Sequence, residues 1–322
     1  MGWTELKEAV LAAGGCRIEG SLPDRAVATS TAGPGAGGKG AVFFAVDERR
    51  VRLAIAEEGK ARLIVRPDGS ALLRCGEAEV EGRIEPVGLH CPRQAFVTVS
   101  ESCVYRCRYC PVPLGKGKRK SVEECVGLVD EVAERIDAIA LTSGVAESIE
   151  EEEEYVCQVV RALKRFDLPI GVSIFPTPET PRRLHDLGVT EVKFNLEAAT
   201  PALFAAHCPD LPYDRVLEAL AASVPLFGRG HVFSNVIVGL GETCSELEAC
   251  IDRLVGMGVV PVLRPLNPVA GCGEYARPDS GHLDRAARYL RAGLSAAELD
   301  GGRALTMCAA CTGCDIAPWR DL

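Results

Sequence analysis

Ala95-Phe96-Val97-Thr98-Val99-Ser100-Glu101-Ser102-Cys103-Val104-Tyr105-Arg106-Cys107-Arg108-Tyr109-Cys110-Pro111 decides how the rest of the chain is read. Its apolar, β-branched opening predicts a strand over 95–100, and three cysteines in CxxxCxxC spacing follow directly. A loop that closes over three thiolates can ligate three irons of a [4Fe–4S] cube and leave the fourth iron open to an outside ligand. The competing reading is a structural zinc knuckle. It calls for a fourth Cys or His at matched spacing, where Pro111-Val112-Pro113 stands instead, although His90 and Cys91 lie upstream.

Outward from this stretch, short apolar runs alternate with helical periods. Strands are predicted over 95–100, 138–142, 170–174, 191–195, 231–238 and 260–264. Ser121 with Glu124 forms a capping box for the first intervening helix, and the acidic run 150–154 opens the second, where carboxylates favour the positive end of the helix dipole. Six βα units imply a parallel sheet, too few for a closed eight-stranded barrel. Residues 1–92 read differently, as a small α+β module with a short amphipathic helix and strands over 41–46, 61–65 and 78–85. The expected division is therefore 1–92, a βα core over 93–301, and a tail over 302–322.

That tail carries a second cluster, Cys308-Ala309-Ala310-Cys311-Thr312-Gly313-Cys314, compact enough to wrap one metal centre. Two readings stay open: an auxiliary iron–sulfur cluster with a non-cysteine or substrate-derived fourth ligand, or a zinc site completed by a residue such as Cys272. Cys125, Cys157 and Cys250 fall within predicted helices and read as small core residues.

A chain of 322 residues with 47% hydrophobic content can bury one large core. The net charge of −9 argues against a nucleic-acid footprint, and no apolar run approaches the length of a membrane span. The N-terminus lacks a signal-peptide pattern, so the expectation is a soluble, cytoplasmic protein. Its 15 cysteines then read as thiols or metal ligands in a reducing setting rather than as disulfides. The basic run Lys116-Gly117-Lys118-Arg119-Lys120 is either a solvated face or a patch that steers an acidic substrate or partner. The glycine-rich stretch 32–40 lacks P-loop spacing and reads as a flexible connection.

The cysteine triplet, with Tyr109 before its last cysteine and a strand before its first, resembles the signature of the radical S-adenosylmethionine (SAM) enzymes. The resemblance extends over roughly 95–300 and implies a partial (β/α)6 barrel with Cys103, Cys107 and Cys110 holding a [4Fe–4S] cluster. It also implies SAM contacts at the carboxyl ends of strands. Tyr109 would sit against the adenine. Ser143 and Gly144, in Thr142-Ser143-Gly144-Val145, stand where the family has a Gly-Gly-Glu turn for the SAM amino group, with only the glycine kept. Asn195-Leu196-Glu197 resembles the Asn-Leu-Asp run of biotin synthase at the ribose hydroxyls. Ile237-Val238-Gly239-Leu240-Gly241-Glu242-Thr243 is similar to a biotin synthase segment in which Ile237 would pack on adenine and Gly239 would allow close backbone approach.

By the same resemblance, reductive cleavage of SAM gives a 5′-deoxyadenosyl radical that abstracts hydrogen from an unactivated carbon. A low-potential donor such as ferredoxin or flavodoxin would supply the electron, and the substrate would be a small molecule or a carrier-protein-bound group. Thr142, Ser173 and Ser234 stand where biotin synthase has strand cysteines, although Arg264 remains. Lipoyl synthase instead keeps a sacrificial cluster on a cysteine triplet outside the barrel. Sulfur insertion with Cys308, Cys311 and Cys314 holding the donor cluster is the leading expectation. The alternatives are rearrangement, methylation or carbon–carbon chemistry with that cluster as electron relay or substrate anchor, and a non-catalytic iron–sulfur or zinc subunit.

Overall fold

A computed structural model describes residues 2–29, 40–268 and 272–322. All but the last residue of the glycine-rich stretch 32–40 lies outside them. Thirteen strands are described: β1 (Cys16–Glu19), β2 (Ala41–Val46), β3 (Arg49–Ala54), β4 (Ala61–Val65), β5 (Ser70–Cys75), β6 (Ala78–Glu85), β7 (His90–Cys91), β8 (Gln94–Thr98), β9 (Ala138–Thr142), β10 (Ile170–Ser173), β11 (Glu191–Lys193), β12 (Val232–Val238) and β13 (Val260–Pro265). The helices are α1 (Trp3–Ala13), α2 (Val122–Asp130), α3 (Ile149–Leu163), α4 (Thr180–Asp186), α5 (Pro201–His207), α6 (Tyr213–Phe227), α7 (Cys244–Met257), α8 (Ser280–Ala296), α9 (Met307–Cys311) and α10 (Pro318–Asp321).

The first sheet has the order β1-β4-β5-β6-β2-β3 and is antiparallel except for the β1–β4 pair. α1 lays Trp3, Leu6 and Val10 on it, next to Phe44, Leu53, Leu63 and Leu73. Three of its strands, β1, β3 and β5, escape the sequence patterning. In β3 the arginines 49, 50 and 52 hide the apolar alternation carried by Val51 and Leu53.

The second sheet runs β13-β12-β11-β10-β9-β8-β7. From β8 to β13 every pairing is parallel and spatial order equals chain order, so the sheet curls progressively into a half-barrel. This is the partial α/β barrel that six βα units imply, with α2, α3 and α7 among the helices on its outer face. β7 adds an antiparallel strand in front of the first parallel one. Register aligns the carboxyl ends: Thr98 pairs with Thr142, and Thr142 with Ser173. The loops that follow β8, β9, β10 and β11 therefore open on one rim, where parallel βα folds collect their chemistry.

Local rules account for the helix starts. Ser121 Oγ accepts from Glu124 N at 3.1 Å while Glu124 Oε2 accepts from Ser121 N at 2.7 Å. Thr243 and Glu246 repeat the box at the start of α7. Cys125, Cys157 and Cys250 are buried in the core.

The tail is stitched down at both flanks. The fully buried Glu191 carboxylate accepts from the backbone of Leu305 and Thr306 and from the Thr306 hydroxyl, at 3.0, 2.8 and 2.6 Å. Gln94 clamps Met307 through both backbone groups, at 2.7 and 3.1 Å. On the other side Lys7 reaches the Thr312 carbonyl and Asp321, both at 2.6 Å, with no solvent exposure of either charge. Arg52 N donates to Gly313 O at 2.7 Å.

Candidate active site

The three cysteines of the first triplet, each half-buried, open into one cleft of about 1000 Å³ at the barrel rim. Its walls include Tyr105, Tyr109, Ser143, Gly144, Lys193, Asn195, Glu197, Asn235, Arg264 and Cys308. A neighbouring cavity of about 380 Å³ shares Tyr109, Glu197, Asn235 and Arg264 as walls and adds Ile237. Among the expected SAM-site residues, Tyr109, Ser143, Gly144, Asn195 and Glu197 thus line the cleft, and Ile237 lines the neighbouring cavity that shares its wall. Gly239 is set apart. Its φ of 111° needs glycine, and a Cβ there would meet Leu266 and Pro278 at 3.3 Å, while Glu242 holds the amides of Gly239 and Leu240 at 2.6 and 2.9 Å. The glycine shapes the loop rather than the cleft.

The loop that carries the cysteines is fixed against the next strand. Gly144 N donates to Ser100 O, Val104 N to Val145 O, and Val145 N to Cys103 Sγ at 3.5 Å. A Cβ on Gly144 would stand 2.2 Å from Ser102 O, so this approach requires glycine. Beneath it lies Glu152, whose buried carboxylate accepts from Ser100 Oγ, Ser143 Oγ, Ala146 N and Arg119 Nη2, at 2.7, 2.5, 3.2 and 2.9 Å. The acidic run 150–154, read as a helix start without further role, therefore supplies the brace under the cluster loop. Arg119 also pairs with Glu151 and stacks on Tyr155; Lys118 pairs with Glu124 and Lys120 with Glu101. Lys118, Arg119 and Lys120 are spoken for within the fold, which removes most of the support for a steering patch.

Two polar groups in the cleft can meet a ligand. Asn235 Oδ1 is buried without a hydrogen-bond partner, a costly state for an amide oxygen. Glu197, held at a φ of 62°, has its carboxyl pushed up to about 7 by desolvation, against the opposing pull of Lys193, Asn195, Arg264 and Tyr109. An orphaned acceptor and a poised carboxylate beside three thiols fit a ligand that donates hydrogen bonds and completes a metal coordination. Tyr109 is buried and its hydroxyl lies 3.5 Å from Cys208 Sγ. Cys208, which the sequence reading passed over, also hydrogen-bonds Cys107 and so helps push that thiol well above its ordinary range.

The tail triplet lines a second cavity of about 310 Å³ with Phe43, His90, Cys91, Phe96, Arg264 and Gly313. Cys91, weighed above as a fourth ligand for the first triplet, is here instead. Cys272 is not among the lining residues. Lys193 Nζ lies 3.4 Å from Cys308 Sγ, and Arg264 hydrogen-bonds Cys314. Cys308 and Arg264 border both cavities. Cys311 is pulled down to about 7, first by the Cys91 thiol donating to its sulfur, with Arg50 adding to the effect. Among the described residues no three His, Cys, Asp or Glu side chains are gathered to hold a metal ion; the cysteines stand around the cavities.

A half-barrel of parallel strands whose first strand delivers three cysteines into a cleft has the build of an iron–sulfur enzyme. Residues 97–254 match the family model described as the Radical SAM superfamily. Curated relatives include the lipoyl synthases of Corynebacterium jeikeium, 26% identical over 63% of this chain and 62% of that one, and of Halorhodospira halophila, 25% identical over 60% and 61%. The chain spans about three fifths of the length of these relatives. Among solved structures, a radical SAM methyltransferase from Sphaerobacter thermophilus aligns with a TM-score of 0.53 at 19% identity, over 74% of this chain and 72% of that one. Streptococcus suis SuiB bound to S-adenosylmethionine aligns with a TM-score of 0.55 at 11% identity, over 64% and 48%. Residues 97–254 thus carry a radical SAM domain, the domain of enzymes that use a [4Fe–4S] cluster and SAM. No helix among the described residues is long and apolar enough to cross a membrane.

Proposed function

We propose that the protein is a radical SAM enzyme that abstracts hydrogen from an unactivated carbon and inserts sulfur there, with an auxiliary cluster on the tail cysteines as the sulfur source. The observation that supports it most is the shared wall: Cys308 belongs to the second cysteine cavity and also borders the cleft into which Cys103, Cys107 and Cys110 open. A substrate carbon in the cleft would lie beside the second site. The relatives named lipoyl synthase point to the same chemistry on a carrier-protein-bound aliphatic chain.

In this reading Cys103, Cys107 and Cys110 hold the first cluster, leaving one iron for the amino and carboxylate groups of SAM. Bound together, cluster and SAM supply a 5′-deoxyadenosyl radical. The protein's own part is positioning. Glu197 and Asn195 take the ribose hydroxyls, Asn235 offers its unpartnered Oδ1, Tyr109 and Ile237 flank the adenine, and the Ser143-Gly144 backbone faces the amino group. Glu152 keeps that turn and the cysteine loop in one register. Arg264, which borders both cavities, and Lys193, in the cleft wall beside Cys308, would offset negative charge there. A low-potential donor such as ferredoxin or flavodoxin would reduce the first cluster.

The test is anaerobic: reduced, reconstituted protein, SAM and an octanoylated lysyl peptide. Release of 5′-deoxyadenosine together with a sulfur-containing peptide, at the expense of protein-bound sulfide, is the expected result. Deoxyadenosine with conserved sulfide would replace sulfur donation by the relay reading. No deoxyadenosine from fully loaded protein would favour the binding-subunit reading.

A further inference from the structure

Resting on the auxiliary-cluster reading, we propose that Cys91 is the fourth ligand of that cluster, so that Cys91, Cys308, Cys311 and Cys314 form an all-cysteine site closed to substrate coordination.

The tail triplet alone leaves the fourth position undefined. Cys91 lies 217 positions before Cys308, and no local spacing connects them. The fold does. β7 doubles back in front of β8, with Cys91 paired to Gln94, and Gln94 in turn holds Met307 by both its backbone groups. One clamp thus fixes the cysteine of the hairpin and the first residue of the tail helix in register. Cys91 is buried, and it faces the same cavity as Cys311, the neighbour that acts most strongly on its thiol. All four sulfur-bearing residues line the same cavity, and Phe43 and Phe96 supply apolar wall. Four thiolates are the donor set of a [4Fe–4S] cube.

Charge points the same way. Four thiolates around a doubly positive cube make a dianion, which burial penalises unless cations stand beside it. Lys193 and Arg264 are those cations, one on Cys308 and the other on Cys314. Both lie on barrel strands and both border the cleft, so neither is a surface charge that happens to be near.

The N-terminal sheet becomes part of the site as well. Phe43 lies against Gly313, where a Cβ would meet its ring at 2.7 Å; Arg52 and Lys7 hold the backbone of Gly313 and Thr312, and Arg50 donates to the Cys311 carbonyl at 3.3 Å. Thiolates from the β7 hairpin and the tail, with the N-terminal sheet holding the tail backbone, would place the cube at the seam between the two sheets.

The experiment isolates this site in the full-length chain. A Cys103→Ala/Cys107→Ala/Cys110→Ala variant, reconstituted with iron and sulfide and measured by metal analysis and EPR after reduction, should hold about four irons per chain as one [4Fe–4S] cluster. Adding Cys91→Ala should lower the iron to about three, with a [3Fe–4S] signal in the oxidised, unreduced sample, or empty the site. Cys91→Ser, nearly isosteric, should change the EPR signal and keeps the test readable if the alanine variant does not fold. Cys125→Ala, at a buried core cysteine, should leave the iron content unchanged. A folded Cys91 variant that retains all the iron and an unaltered signal would overturn the assignment. Zinc in place of iron, with Cys91 intact, would overturn the cluster itself. Neither outcome touches SAM cleavage at the first triplet, which wild-type protein reports separately.

Discussion

Glu197 gives a pH dependence with a defined sign. Burial raises its carboxyl from 4.5 to about 7, so about a tenth is ionised at pH 6 and about nine tenths at pH 8. If the ribose hydroxyls donate to the carboxylate, the dissociation constant of SAM falls by about tenfold across that interval. The ligand-free protein responds in the opposite direction. A carboxyl whose folded value is raised costs nothing below about pH 4.5, where both folded and unfolded forms are protonated, and its full penalty appears above about 7. The shift of about 2.5 units corresponds to about 3 kcal/mol of stability lost as pH climbs through that window. Equilibrium binding of SAM and urea unfolding, each followed from pH 5 to 8, read the two effects. In Glu197→Gln both slopes should flatten, and SAM should bind about 10–100-fold more weakly at pH 8, the worth of one charge-assisted hydrogen bond. Titration of SAM itself is common to both proteins and cancels. A tenfold rise in affinity that survives in Glu197→Gln would sink the reasoning, as would a flat profile in the wild type.

Three further outcomes are expected. Glu191→Ala strips the acceptor from Leu305 N, Thr306 N and Thr306 Oγ1, all facing a buried carboxylate, and should cost about 3–5 kcal/mol in urea unfolding while tail-bound iron is lost before that of the first triplet. Arg264→Met removes the cation hydrogen-bonded to Cys314 and should move the auxiliary cluster to a more negative potential in a redox titration followed by EPR, with the iron content kept. Gly144→Ala puts a methyl 2.2 Å from Ser102 O and should displace the cysteine loop, seen as weaker SAM binding with the tail cluster intact.

The parallel half-barrel was legible because its strands are buried on both faces and read as continuous apolar runs: 138–142 was expected and found, and 231–238 and 260–264 were displaced by a single residue at one end. β3 and β5 were not, since arginines interrupt the apolar sequence: Arg50 and Arg52 where the sheet meets the tail, and Arg74 on an exposed face where it pairs with Glu79. The same divide runs through the site. Cys103, Cys107, Cys110 and Tyr109 stand out in the sequence by spacing, and Asn195 and Glu197 by a strand end, and the fold brings all six to one cleft. Glu152 looked like one more carboxylate in an acidic helix start; only the return of α3 beneath β8 and β9 turns it into an acceptor for Ser100 and Ser143. Cys91 and Cys208 carry no local signal at all, because each finds its partner across more than a hundred or nearly a hundred residues of chain.

The placement of the tail explains why a half-barrel carries a separate six-stranded sheet. An open barrel leaves the inner face of β8 and the hairpin at β7 without cover, and a short tail has too little apolar surface to hold itself there. Each of its contacts is accordingly borrowed: Glu191 and Gln94 from the barrel, Lys7, Arg50, Arg52 and Phe43 from the N-terminal sheet. The buried Lys7–Asp321 pair, with Trp3 Nε1 donating to the same carboxylate at 2.7 Å, ties the two chain ends together. A buried pair of this kind adds little net stability over apolar substitutes, but it penalises every misaligned docking of the tail. Register is what the second site requires, since a slip of one residue in α9 would rotate Cys308 away from the wall it shares with the cleft. The N-terminal sheet is thus the scaffold that holds the tail cysteines beside the cleft into which Cys103, Cys107 and Cys110 open.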